Sequence, residues 1–96
     1  MKGITMPELR DALKNNHEIE FTLHEKTYLI QPEEHDSGLH LTMWQLASEA
    51  SCIADIPLAQ KNNATDDEIE LLLSQKCFDG ESFFSLSDHI TVTTVY

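Results

Sequence analysis

HEIEFTLHEKTYLIQ (17–31) is the stretch whose reading decides the fold. Ile19, Phe21 and Leu23 alternate with Glu18, Glu20, Thr22 and His24, the period of a strand with one dry and one wet face. Residues 17–24 therefore read as a strand. His24-Glu25-Lys26-Thr27 is a polar break of hairpin length, and TYLIQ (27–31) is the returning strand. Pro32 is expected to end it, because proline cannot donate to a ladder. PEEHDSG (32–38) then reads as a loop. LHLTMWQ (39–45) resumes the alternation, with Leu39, Leu41 and Met43 toward the core and His40, Thr42 and Trp44 opposite. Three consecutive antiparallel strands make a meander.

On the N-terminal side, Thr5-Met6-Pro7-Glu8 is a capping box with proline in the first turn. Leu9, Ala12 and Leu13 give the helix its inner stripe, and Asn15-Asn16 should stop it, since asparagine tolerates the left-handed region. On the C-terminal side, LASEAS (46–51) fits either a helical turn or a wide connection. CIADIPL (52–58) reads as a fourth strand, placed at an edge by Pro57, and QKNNA (60–64) as loop. Thr65-Asp66-Asp67-Glu68 is a second capping box, opening a helix with Ile69, Leu72 and Leu73 inside and Lys76 in its last turn. Phe78-Asp79-Gly80 turns the chain, Phe83, Phe84 and Leu86 form a short apolar helix, and ITVTTVY (90–96) is a final strand pairing inside the meander. The expected architecture is one α+β domain over 1–96. A small antiparallel sheet packs against two or three helices, in the order α-β-β-β-(β)-α-α-β.

Charge bounds the function. Six Lys and Arg stand against 17 Asp and Glu, a net charge of -11. Phosphate binding needs clustered cations, so direct contact with nucleic acid or with an anionic membrane is not expected. A basic or nucleic-acid-binding protein suits this surface as a partner. No apolar run approaches the ~20 residues of a membrane span. MKGITMPELR lacks the apolar segment of a secretory signal, so a cytoplasmic chain is expected. Cys52 and Cys77, 25 positions apart and without ligand spacing, read as reduced thiols.

Chemistry is sparse. There is no GxGxxG, GxxxxGK[ST], GxSxG, HExxH or calcium loop, so no enzyme and no cofactor is expected. Three carboxylate clusters stand out: Asp66, Asp67, Glu68 and Glu70; Glu33, Glu34 and Asp36; and Asp79, Glu81 and Asp88. Trp44, on the outer parity of its strand, reads either as a ring covered by a helix or by the chain after it, or as an exposed aromatic of the kind that anchors protein contacts. The five histidines read as surface groups, with His35 and its neighbours Glu33, Glu34 and Asp36 the one place where a cation would sit.

HEIEFTLHEKTYLI (17–30) and LLLSQKCFDGESFFSLSDHITV (71–92) together resemble a pattern found in small uncharacterised acidic proteins of Gram-positive phages and mobile elements. That pattern is a leading helix, an H-E-I-E-F strand with its hairpin, a helix ending in F-D-G-[KE]-S-L, and a last strand. Phe78-Asp79-Gly80-Glu81-Ser82 matches, whereas Phe83 stands where the pattern has Leu. The resemblance covers both ends, omits residues 31–60 and carries over no catalytic residue. Because mobile elements encode many small acidic inhibitors of host defence nucleases, it implies an inhibitor of such a nuclease, anti-CRISPR-like. The expected function is thus a non-enzymatic protein-binding module acting through Asp66, Asp67, Glu68, Glu70, Glu33, Glu34, Asp36 and Trp44. Two alternatives are an accessory domain that forms a homodimer through a sheet edge or the Trp44 face, and a weak metal-binding protein built on His35.

Overall fold

Four successive strands pair each with the next, and a fifth returns from the far end of the chain to pair with the first. A computed structural model describes residues 1–47, 49–60 and 62–96. Helix α1 (Met6–Lys14) is followed by β1 (Ile19–Leu23), β2 (Lys26–His35), β3 (Gly38–Leu46), β4 (Ser51–Pro57), α2 (Asp66–Leu73) and β5 (Ile90–Val95). The fold is α+β, and its antiparallel sheet has the order β4-β3-β2-β1-β5. The fourth strand is present, at an edge as Pro57 indicated.

Both helices begin as the capping boxes dictate. Thr5 accepts from the Glu8 N–H while Glu8 accepts from the Thr5 N–H, and Thr65 with Glu68 repeats the exchange. Leu9 and Leu13 of α1 and Ile69, Leu72 and Leu73 of α2 join Ile19, Phe21, Leu23, Ile30, Leu41 and Met43 in one buried cluster. At ~1.5–3 kcal/mol for each fully buried large apolar side chain, this face of the sheet holds the fold together. Phe21 is its aromatic hub: the ring stacks on Tyr28 at 5.2 Å and meets Phe83 edge-on at 5.2 Å. Because both helices lie on this face, the other face of the sheet has no helix across it among the described residues.

Several expectations are corrected. The β1–β2 turn is only His24-Glu25, both with positive φ (49° and 67°), so Lys26 and Thr27 belong to β2. This is the type I′ geometry that follows the twist of the strands it joins. Pro32 does not end β2, which continues to His35 and leaves Asp36-Ser37 as the turn into β3. The reason is register: β1 starts at Ile19 opposite Ile30, so beyond Ile30 β2 has a partner on one side only, where proline is tolerated. Helix α2 stops at Leu73, and Lys76 lies past it; the Ser74 hydroxyl donates to the Glu70 carbonyl at 2.6 Å and closes the last turn.

The short helix expected at Phe83–Leu86 is instead a run of turns leading into a 3-10 turn at Ser87–His89. There Ser82 and Ser85 exchange side-chain to backbone hydrogen bonds that compete with helical ones. Strand β5 does not enter the meander but adds to the free side of β1. Of the ambiguous stretch 46–51, Leu46 closes β3 and Ser51 opens β4; Ser48 lies outside the described residues, as does Lys61 of the expected loop 60–64.

Candidate functional site: the open face of the sheet

Alternation sends Leu29, Gln31, Glu33 and His35 of β2 to the open face. It sends His40, Thr42 and Trp44 of β3, with Asp55 of β4, to the same side. Register brings them together: Glu33 lies opposite His40, Gln31 opposite Thr42, Leu29 opposite Trp44, and Thr42 opposite Asp55. Directly opposed and diagonal side chains on neighbouring strands are within reach of one another.

Glu33 is the centre of the resulting network. Its Oε2 accepts from Gln31 Nε2 at 2.9 Å, from the Thr42 hydroxyl at 2.6 Å and from the indole N–H of Trp44. His35 Nε2 stands 3.1 Å from its Oε1. Burial alone would raise this carboxyl's pKa, but the hydrogen bonds from Thr42, Gln31, His35 and Trp44 outweigh it and hold the pKa at about 2. Thr42, buried although it faces away from the main core, is satisfied by the same carboxylate. One strand further on, His40 Nδ1 donates to Asp55 at 2.6 Å while the Ser37 hydroxyl lies 3.0 Å from its Nε2. The rings of His35 and His40 stack with centroids 3.9 Å apart.

The structure separates the carboxylates that the sequence grouped. Glu33 and Trp44 share the open face, Trp44 half-buried with its polar end committed. Asp36 sits in the β2–β3 turn, and Glu34 points to the opposite side from Glu33. Asp66, Asp67, Glu68 and Glu70 belong to α2, beyond the core on the other side of the sheet. Glu68 is occupied by its cap and by the Ala59 N–H at 2.7 Å, so that, despite burial, hydrogen bonds to the Thr65 and Ala59 backbone keep its pKa low. Glu70 meets Arg10 at 2.7 Å and Asp66 meets Lys14 at 3.1 Å, both in exposed pairs of the kind that adds little to stability. Asp67 carries no ion pair among the described residues.

His40, Thr42, Gln31 and Asp55 are the members that sequence reasoning missed. The alternation of 39–45 already put His40 and Thr42 on the outer side with Trp44. The missing piece was the continuation of β2 past Pro32, which turns Glu33 and His35 from loop residues into strand neighbours. Near this network Cys52 is a free thiol whose pKa is pushed up by desolvation and by Asp55, so it is not poised as a thiolate nucleophile. No strand residue on this face of β1–β4 is a lysine or arginine; its formal negative charges include Glu20, Glu33 and Asp55. No helix among the described residues is long and apolar enough to cross a membrane. Compared with family models, curated proteins and solved structures, the chain matches none.

Proposed function

We propose that this protein is a non-enzymatic binding module that docks a basic protein through the open face of its sheet. The observation that carries this reading is a sheet face with no helix across it among the described residues, with an indole on it, carboxylates around it and no Lys or Arg among its strand residues in β1–β4. Leu29, Trp44 and Leu46 supply apolar area there, and Leu46 is among the large apolar side chains left exposed. Aromatic area ringed by charge of one sign is a common form for a contact that recognises a surface of the opposite sign. The excess of acid is left for a partner to meet: among the described residues only Arg10 and Lys14 form Arg or Lys ion pairs, both with α2.

The resemblance to proteins of Gram-positive phages and mobile elements points to the class of partner. A host defence nuclease, of the CRISPR effector kind, holds nucleic acid on a basic surface that an acidic module can occupy instead. In this reading the protein works in the cytoplasm as an inhibitor. The docking side is the Trp44 face; the acidic start of α2 contributes only long-range attraction.

The test is affinity capture of host proteins followed by a cleavage assay on the captured nuclease. The wild type is expected to retain a basic nucleic-acid-binding protein, to lose it as salt rises, and to slow its cleavage of DNA. Glu20→Lys with Thr22→Lys should abolish capture, whereas Asp66→Lys with Asp67→Lys should weaken it only modestly. Capture that ignores the β1 charge changes, or a partner that is not basic, overturns the proposal.

A further inference from the structure

The end of the open face where the β2–β3 hairpin overhangs β1 holds an arrangement that protein docking does not require. One nitrogen each from His35 and His40 and one carboxylate oxygen of Asp55 lie within 4.8 Å of one another. They come from three adjacent strands. His35 pairs with Gly38 and His40 with Glu33, which makes the two imidazoles diagonal neighbours; Asp55 is diagonal to His40 on the other side. Sites on strands hold their geometry better than sites on loops.

We propose that His35, His40 and Asp55 bind one divalent transition ion of the zinc class, with water completing its coordination. Two imidazoles and a carboxylate are the donors that zinc, cobalt and nickel share, whereas calcium and magnesium prefer oxygen alone. Three protein ligands with an open fourth position is a common zinc arrangement.

The surroundings of each ligand fit the role. A ligating histidine nearly always gives its other ring N–H to a carboxylate, carbonyl or water, which fixes the ring and makes it a better donor. His35 has that partner already: Nε2 faces Glu33 at 3.1 Å, leaving the Nδ1 lone pair for an ion. Glu33 is in turn held by Gln31, Thr42 and Trp44, so the support extends two residues deep. His40 shares its Nδ1 proton with Asp55, and the Ser37 hydroxyl waits at Nε2. An ion entering between His40 and Asp55 takes the place of that proton. The proton moves to Nε2 and stays there, hydrogen-bonded to the Ser37 oxygen, so the imidazole remains neutral with no proton lost.

Charge and access also agree. Asp55 and the adjacent Glu33 together balance a divalent cation. His40 is largely enclosed, at 13% side-chain exposure, while His35 and Asp55 are open at 35% and 41%. Metal–ligand distances of about 2.0–2.2 Å require the three atoms to close to roughly 3.3 Å, a movement the two open side chains can make by rotation.

Trp44, the sole tryptophan, supplies a readout, because it shares Glu33 with His35. Metal-free protein is titrated with Co2+, Ni2+ and Zn2+, with Mg2+ and Ca2+ as controls, by calorimetry, Trp44 fluorescence and thermal melting. Expected are one ion per chain, quenching of Trp44 by Co2+ and Ni2+, a higher melting temperature with Zn2+, and no response to Mg2+ or Ca2+. His40→Ala and Asp55→Asn should each weaken Zn2+ binding at least tenfold, while His24→Ala leaves it unchanged. His35→Ala, at an open position, is the variant that keeps the fold, as circular dichroism checks; it too should lose tenfold or more. No binding by the wild type, affinity that survives His35→Ala, or an equal loss in His24→Ala each overturns the site.

Discussion

Trp44 gives its indole N–H to the carboxylate of Glu33, eleven positions earlier and on the neighbouring strand. The outward-facing aromatic is therefore tethered at its polar edge, and only its apolar ring is available to a partner. The tether is one of four polar contacts gathered by this largely covered carboxylate.

Trp44→Phe keeps a ring and removes the donor. With Glu33 part-buried, the loss is expected to be about 1–3 kcal/mol of stability, and Thr42→Val should cost a similar amount. Urea unfolding followed by circular dichroism measures both. A cycle pairing each with Glu33→Gln should show coupling above about 0.5 kcal/mol, since all three groups share one oxygen.

Acid should destabilise this protein in a defined window. Glu33 has its pKa lowered from the ordinary 4.5 to about 2, so the unfolded chain takes up a proton more readily than the folded one. The stability this lends is whole above pH 4.5 and is lost as pH falls toward 2, up to about 3 kcal/mol in all. Glu68, lowered in the same direction, adds to the loss. Denaturant midpoints measured across this range should fall steeply for the wild type and more gently for Glu33→Gln.

The His24-Glu25 turn places two ordinary side chains at positive φ, where asparagine and glycine are at ease. His24→Asn with Glu25→Gly is expected to raise stability by about 0.5–2 kcal/mol, seen as a higher melting temperature. The same change does not touch Glu33, His35 or His40, so it should leave the open face as it is.

The two capping boxes look alike in sequence but are not equivalent in the fold. Thr5→Ala and Thr65→Ala should each cost about 1 kcal/mol. Glu68→Ala should cost more than Glu8→Ala, because Glu68 also accepts the Ala59 N–H and ties the chain after β4 to α2, whereas Glu8 serves its own cap alone. Chemical denaturation of the four variants gives the order.

What was legible from the residues was what is decided locally. The Thr-x-x-Glu boxes, the parity of 19–23 and 39–45 and the Asp79-Gly80 turn are all settled within a few positions, and each appears where it was read. The helix expected around Phe83 failed locally too, where Ser82 and Ser85 divert the backbone bonds. The open-face network could not be read in this way. Its members meet only because β1 begins at Ile19, opposite Ile30, and so lets a proline stand inside β2, and because a bulge at Met43/Trp44 sets where Asp55 falls. Nor does the local pattern show that Glu70 meets Arg10, sixty positions away, so the acidic start of α2 looked freer than it is.

The strand order also carries an expectation for the timing of folding. Each strand from β1 to β4 finds its partner across a short connection, so the meander can zip from one hairpin to the next. Strand β5 has no such neighbour: pairing Phe21 with Val92 closes a loop of about seventy residues, a slow and entropically costly event. The seal on β1 is thus expected to be the last piece to arrive. Weakening it, as in Val92→Ala, should leave the folding rate nearly unchanged and hasten unfolding, so the lifetime of the native state is governed from the edge at β5.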